Sequence, residues 1–282
     1  MTFQLLDQLS LPGDPAKPNE DFQATSAHAA LVIDGATPLG DSLMPGPSDA
    51  QWIAQFGARR LMARLDQGDG ARKALRAALA DAEKSFAALG RHPPDEMWQL
   101  PCASMMLAVG AGDRSVEFLW YGDCAALVRQ GDAAVTVVGE TFDKRAAEAL
   151  RAQQVAEEKG LSPASGLDRP EFIGSLRAVR NRINSGTYWL FSPDVRAASH
   201  VSRRVIKAGT GTILLLATDG FLALASDYGV YSADSLMAAA KSKGLITLGE
   251  ELRAIEAGDL SGDRFPRFKK SDDATALLLR LS

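Results

Sequence analysis

Aspartates stand at the ends of several apolar segments of this chain, where they could act together. The positions that share this pattern are Asp34 after Leu31-Val32-Ile33, Asp123 after Trp120-Tyr121-Gly122, Asp219 after Ile213–Thr218, and Asp272-Asp273 before Ala274–Leu281. A strand is a rigid platform, so a side chain at its end is held in a fixed direction. Carboxylates so placed are suited to binding a cation.

Several carboxylates that converge on one point repel one another, and a cation among them removes the repulsion. Their hard oxygen atoms suit Mg²⁺ or Mn²⁺. The three His are scattered, and the two Cys, Cys102 and Cys124, are too few for a four-Cys zinc site. Because an Asp-Gly step after a strand is also a common turn, the spacing alone leaves a metal site and a set of surface turns open.

These residues also form an ordered series that resembles the motifs of the metal-dependent protein phosphatases of type 2C, in their bacterial form. The matching segments are Asn19-Glu20-Asp21, Val32-Ile33-Asp34-Gly35, Tyr121-Gly122-Asp123-Cys124-Ala125, Leu216–Phe221 and Asp272-Asp273-Ala274-Thr275. They are similar, in order, to the family's acidic pair, metal-bridging Asp-Gly, Gly-Asp-Ser-Arg, Ser-Asp-Gly and Asp-Asn-x-Thr motifs. The resemblance extends over almost the whole chain.

The resemblance implies a centre of two Mg²⁺ or Mn²⁺ ions, with a possible third. Asp34 would bridge the two ions, and the carbonyl group of Gly35 would bind the second. Asp219 and Asp272 would complete the first site. A water activated by the two ions would then attack the phosphorus atom, so that no phosphoenzyme forms.

The resemblance also implies roles for residues around the two ions. Glu20 and Asp21 would hold metal-bound waters, and Asp123 would contribute to a weaker third ion. Asp273 would support the metal ligands without binding an ion itself. Lys17 stands near the place where family members often carry an Arg that grips the substrate phosphate, and it is either a phosphate contact or a solvated surface lysine.

The chain departs from the family pattern in two further places. Ala36-Thr37-Pro38 follows Asp34-Gly35, where the family continues to a Gly-Gly pair that many eukaryotic members follow with His. Asp219-Gly220-Phe221-Leu222-Ala223 lacks the second Asp that helps a third ion in some relatives. We therefore expect the two-metal core to be complete and the third site to be weaker.

Apolar runs bounded by Gly, Asp and Pro predict strands. The predicted strands are Phe3–Leu9, Ala29–Ile33, Ala103–Val109, Val116–Tyr121, Ala125–Val128, Ala133–Val138, Tyr188–Phe191, Thr212–Ala217 and Ala274–Leu281. The predicted helices are Ala50–Leu65, Ala71–Leu89 with Asp69 as its cap, Phe142–Lys159, Ser232–Lys243 and Leu248–Ala257.

Strands that come in hairpin-like groups and helices that come in pairs indicate an α+β fold with an antiparallel core. The family resemblance makes this a four-layer αββα sandwich, in which helix pairs flank two antiparallel sheets. We expect residues 1–282 to form one domain of this type. The segments Pro38–Pro47 and Gly160–Pro170 are predicted surface loops.

Composition narrows the possible partners and locations. The net charge is −4 and no basic stripe follows any predicted element, so we expect no nucleic-acid partner. The chain lacks a signal-peptide pattern and a long apolar run, which predicts a cytoplasmic protein without membrane segments. The basic run Arg177–Arg182 is either a solvated helix face or a contact for acidic substrate. We expect a monomer.

The leading hypothesis is a serine/threonine protein phosphatase whose phosphorylated protein substrate is supplied by an opposing kinase. A second hypothesis keeps the metal chemistry but takes a small phosphoester as substrate. A third is a regulatory domain that binds phosphorylated partners without turnover. A haloacid-dehalogenase-type phosphatase is excluded, because neither Asp34 nor Asp219 has a second Asp two residues later.

Overall fold

Ten strands form two antiparallel five-stranded sheets in the part of the chain that the computed structural model describes, which comprises residues 1–112, 114–140, 150, 154, 160, 170–267 and 269–282. The strands are β1 Phe3–Leu11, β2 Asp21–Thr25, β3 Ala29–Gly35, β4 Ala103–Ala111, β5 Ser115–Tyr121, β6 Ala125–Arg129, β7 Thr136–Val138, β8 Ser202–Lys207, β9 Ile213–Ala217 and β10 Ala274–Leu281. One sheet has the order β1-β10-β9-β6-β7, and the other has the order β2-β3-β4-β5-β8.

The central strands are apolar on both faces because both faces are covered. In β3, Ala30 and Val32 belong to the core between the sheets, whereas Leu31 and Ile33 face the helices on the outside. The strand β9 repeats this alternation, with Leu214 between the sheets. The apolar runs that precede Asp34 and Asp219 are therefore the middle layers of a sandwich.

Helices cover the outer face of each sheet. Two long helices, α1 Asp49–Asp66 and α2 Ala71–Leu89, share a core with the sheet that contains β3. The helices α4 Asp219–Ser226, α5 Ala233–Lys243 and α6 Leu245–Ala257 cover the sheet that contains β9. A further helix, α3 Pro170–Arg180, precedes a short 3₁₀ helix, Val195–Ser199, that leads to β8. The predicted αββα sandwich is confirmed.

Most of the predicted strands and helices are confirmed within a few residues of their bounds. The segment Tyr188–Phe191 is an exception, because it forms only isolated bridges, including one between Phe191 and Ala103. Asp69 is not the cap of α2: Gly70 holds that position, and the Asp69 carboxylate lies 2.6 Å from Lys73 Nζ. The predicted helix Phe142–Lys159 and the loop Gly160–Pro170 lie almost wholly outside the described residues.

Four of the described strands and α-helices were not predicted, namely β2, α3, β8 and α4. The strand β2 is short, and β8 carries two consecutive Arg on a largely exposed edge. The helix α4 begins directly at Asp219, where the sequence pattern indicated only a strand end. Among the described residues, none of the helices combines the length and apolar character that crossing a bilayer requires.

The contact between α1 and Phe191 offers a test of the packing around the first sheet. A methyl group added at Gly57 would lie 2.2 Å from the buried Phe191 ring. We expect Gly57→Ala to lower the free energy of unfolding by about 1–3 kcal/mol, despite the better helix propensity of Ala. Gly174→Ala is the control, because Gly174 lies in α3 with open space around it. Urea denaturation in which both variants match the wild type would contradict this packing.

Candidate metal centre

Three of the predicted aspartates converge where the two sheets meet. Asp34 lies near the end of β3, Asp123 lies between β5 and β6, and Asp219 is the first residue of α4. Each of these three residues offers one carboxylate oxygen, and the three oxygens lie within 4.8 Å of one another. Since β3 and β5 belong to one sheet and β6 and β9 to the other, the packing of the sheets brings these side chains together.

Asp21 lies beside this group, at the start of β2 and opposite Asp34 in the antiparallel register. Its Oδ2 accepts a hydrogen bond of 2.8 Å from the Thr218 hydroxyl. That hydroxyl in turn accepts one of 3.0 Å from the backbone N–H of Thr275. Asp21 Oδ1 is buried, and no described residue donates a hydrogen bond to it. Asp21 is thus fixed in place with one buried oxygen still able to bind a ligand.

The carboxylates disfavour one another's charge. Burial raises the pKa of Asp34 well above its usual range, and the nearby charges of Asp219 and Asp21 raise it further. Burial also raises the pKa of Asp21 well above its usual range, and the nearby charge of Asp273 raises it further. A divalent cation would remove this repulsion, and an all-oxygen donor set with a free buried oxygen fits Mg²⁺ or Mn²⁺.

Asp272 stands apart from the close group of three. Its Oδ1 lies 2.6 Å from Lys269 Nζ, and its backbone carbonyl accepts a hydrogen bond of 2.8 Å from Arg253. The charge of Asp272 nevertheless contributes to the raised pKa of Asp34. The structure therefore places Asp272 at the margin of the cluster, with an ammonium group already bound to it.

Asp273 and Glu20 accept hydrogen bonds from groups on the surrounding loops. Asp273 Oδ1 accepts a hydrogen bond of 2.7 Å from the Gly13 N–H, and its Oδ2 accepts one of 2.6 Å from the Glu20 N–H. The Glu20 carboxylate accepts hydrogen bonds from the hydroxyls of Thr37 and Ser48, and burial raises its pKa. In this structure both residues support the neighbouring backbone.

The glycines that follow or precede the aspartates are required by close packing. A methyl group at Gly35 would lie 2.7 Å from the carbonyl oxygens of Ala50 and Glu20, and one at Gly220 would lie 2.0 Å from that of Asp273. Gly122 has a φ of +67°, which favours glycine. The Ser104 hydroxyl, packed against Gly122, donates a hydrogen bond of 2.6 Å to Asp123.

Two basic residues hold the loop that follows Gly35. Arg177 Nε donates to the carbonyl oxygen of Leu39 over 3.0 Å, and Arg180 Nη1 donates to that of Thr37 over 2.7 Å. A solvated helix face therefore does not describe these two members of the basic run. Lys17 is exposed and is the last residue of a turn in which its backbone N–H donates to the carbonyl oxygen of Asp14. Its predicted contact with the substrate phosphate stays a prediction.

Sequence reasoning missed the residues that orient the aspartates. Thr218 directly precedes Asp219 in the sequence. Its hydrogen bond to Asp21 could not be predicted, because it depends on how the two sheets pack. Ser104 lies opposite Asp34 in the register of β3 and β4, which a correct strand alignment would have shown. Lys269 stands three residues before Asp272, and no motif marked it.

The structure is similar to solved bacterial serine/threonine phosphatases. PstP/Ppp of Mycobacterium tuberculosis matches with a TM-score of 0.59 and 15% identity over 100% of both chains. The catalytic domain of PstP in complex with 2 manganese ions matches with a TM-score of 0.57 and 14% identity, over 99% of this chain and 98% of that one. MsPP from Mycobacterium smegmatis in complex with cacodylate matches with a TM-score of 0.54 and 16% identity over 99% of each chain.

At these identities the likeness establishes the fold. No protein-family model and no curated protein matches the sequence. The two five-stranded antiparallel sheets with their outer helices form the α+β sandwich of these phosphatases. The chain therefore has the fold of bacterial type 2C phosphatases, as its motifs predicted.

The repulsion within the cluster predicts a dependence of stability on pH. Folded carboxyl groups with a raised pKa keep protons that the unfolded chain has lost, so the metal-free protein loses stability as pH rises above about 4. Asp34→Asn removes one of these groups. We expect it to raise the melting temperature in EDTA near neutral pH, by about 2–4 °C for each kcal/mol of repulsion removed.

Thermal melts between about pH 5 and about pH 8 measure this effect. The control is Asp132→Asn, which removes an exposed carboxylate from the turn between β6 and β7. If Asp34→Asn and Asp132→Asn show the same pH dependence as the wild type, Asp34 is not the source of the repulsion.

Proposed function

We propose that this protein is a metal-dependent phosphatase that hydrolyses phosphoserine or phosphothreonine in protein substrates. The observation that carries this proposal is the convergence of Asp34, Asp123 and Asp219 beside the buried Asp21. Crowded carboxylates that raise one another's pKa lower stability, and such costly groups are concentrated at functional sites. The order of the motifs, which resembles that of type 2C phosphatases, supports this assignment of the cluster.

We assign the metal ligands from the residues that face the cluster. Asp34, Asp219 and Asp272 would hold two Mg²⁺ or Mn²⁺ ions together with the carbonyl group of Gly35, and Asp21 would bind through water. Asp123, held by Ser104, would contribute to a weaker third ion. The structure of the PstP catalytic domain in complex with 2 manganese ions supports this choice of cofactor.

The ions would supply two effects when bound: a lower pKa of the attacking water and stabilisation of charge on the phosphoryl oxygens. The protein would hold the water and the phosphoryl group in line. Its thiols are unsuited to act as nucleophiles, since burial raises the pKa of both Cys102 and Cys124 and both are buried. We therefore assign water as the nucleophile.

The substrate class and cellular setting follow from the same proposal. The solved structures with this fold are described as serine/threonine phosphatases, which favours a phosphoprotein over a small phosphoester. An opposing Ser/Thr kinase, a cytoplasmic location and a monomeric state remain predictions. Lys17 is retained as a candidate contact to the phosphate from the exposed rim.

One observation favours a different function. The Lys269 ammonium group forms an ion pair with Asp272. A domain that binds phosphoproteins without a metal would also need a cation to neutralise this carboxylate. Such a domain would keep the fold and lose turnover. Metal-dependent activity separates this function from the phosphatase.

The first test is phosphate release from a phosphothreonine peptide and from p-nitrophenyl phosphate with Mn²⁺, Mg²⁺ or EDTA. We expect activity with Mn²⁺ or Mg²⁺ and none with EDTA. Asp34→Asn and Asp219→Asn should each lower kcat by about 100-fold or more, because each removes a charge that holds the ions. Asp132→Asn should retain wild-type rates. Wild-type turnover in either cluster variant would exclude the assigned centre.

Lys17 has a separate test. We expect Lys17→Ala to raise KM for the phosphopeptide by about three- to tenfold with little change in kcat, because a rim cation contributes mainly to substrate binding. Steady-state kinetics at saturating Mn²⁺ measure both constants. An unaltered KM would make Lys17 a solvated surface residue.

A further inference from the structure

Lys269 places a positive charge among residues assigned to bind metal. Its Nζ lies 2.6 Å from Asp272 Oδ1, and about a third of the Lys269 side chain is exposed (33%). A lysine ammonium group is positively charged near neutral pH, so Lys269 forms an ion pair with Asp272 at the margin of the cluster.

The backbone around Asp272 is held independently of this ion pair. Arg253 binds the Asp272 carbonyl oxygen, and the Asp273 carboxylate is bound by the N–H groups of Gly13 and Glu20. The Lys269 side chain is long and contacts Asp272 through its terminal ammonium group. The ammonium group can therefore leave Asp272 without disturbing the backbone segment before β10.

We propose that Lys269 is the built-in counter-ion of the carboxylate cluster, which a metal ion must displace from Asp272, and that the released ammonium group then contacts the substrate phosphoryl oxygens. This inference rests on the proposed function. One monovalent cation offsets only part of the charge of several carboxylates, so a divalent ion at the same place is favoured electrostatically. A displaced lysine would act as a point charge for phosphate, which Lys does without the bidentate geometry of Arg.

The first half of the proposal is tested by the affinity for Mn²⁺ in the absence of substrate. We expect Lys269→Gln to bind Mn²⁺ about three- to tenfold more tightly than the wild type in isothermal titration calorimetry, because the competing cation is gone. Lys269→Arg keeps the charge and should remain near wild type. Lys270→Gln is the matched control, since it removes an adjacent exposed positive charge. If Lys269→Gln gains no more affinity than Lys270→Gln, Lys269 does not compete with the metal.

Stability provides a readout that does not depend on turnover. In EDTA, Lys269→Gln should melt at a lower temperature than Lys270→Gln, because the cluster has lost its counter-ion. Saturating Mn²⁺ should abolish that difference, since the metal then neutralises Asp272. A difference that persists unchanged with Mn²⁺ would show that Lys269 has a structural role that the metal does not replace, and would overturn the proposal.

The second half is tested by kinetics at saturating Mn²⁺. We expect Lys269→Gln to raise KM for p-nitrophenyl phosphate several-fold. Lys269→Arg, which keeps the positive charge, should have a KM close to that of the wild type. An unchanged KM would remove Lys269 from the substrate site. Tighter Mn²⁺ binding by Lys269→Gln in a protein without phosphatase activity would uphold the counter-ion and reject the proposed function, so the two failures are distinguishable.

Discussion

Like charges buried at the junction of two sheets are the constraint on which this structure depends. Asp34, Asp123 and Asp219 converge from strands and turns of both sheets, and Asp21 lies buried beside them. Their repulsion pushes the strand ends apart, whereas the apolar core between the sheets holds them together. Because that core fixes the backbone of β3 and β9, the carboxylates cannot move away from one another without disrupting packing.

Hydrogen bonds from both sheets then decide where each carboxylate points. Thr218 joins β9, β10 and β2 by donating to Asp21 while accepting from Thr275. Ser104 on β4 donates to Asp123, and Asp273 binds backbone N–H groups on the loop before β2. A site formed in this way is preorganised, so a bound cation would meet oxygens that are already oriented.

The sequence predicted the fold and the aspartates because both depend on local patterns. Continuous apolar runs predicted β3, β9 and β10 as strands, and Asp-Gly steps marked the ends of β3 and β9. The same patterns gave no sign of the ion pair between Lys269 and Asp272, or of Arg177 and Arg180 holding the loop after Gly35. Those contacts join segments through side chains on loops and helix ends, where charge alone does not identify a partner.

The edge elements show the same limit of sequence patterns. Because β8 is largely exposed and carries charged residues, its sequence lacks the apolar signal that marked the inner strands. Tyr188–Phe191 has that signal but forms only isolated bridges, since Phe191 packs its ring against α1 at Gly57. Apolar character thus indicated burial correctly at Leu190 and Phe191 but not at Tyr188, which is exposed. Strand pairing depended on neighbours that are distant in the chain.

Lys269 connects the stability of the cluster with its chemistry. A protein that only needed to neutralise its carboxylates could replace them with amides or apolar residues at little cost, because buried charges are expensive even when paired. Here one lysine offsets part of the charge and leaves Asp34 and Asp21 with raised pKa values. The remaining repulsion is what a divalent ion would relieve on binding. Incomplete neutralisation would therefore limit the repulsion in the metal-free protein while preserving a driving force for metal binding.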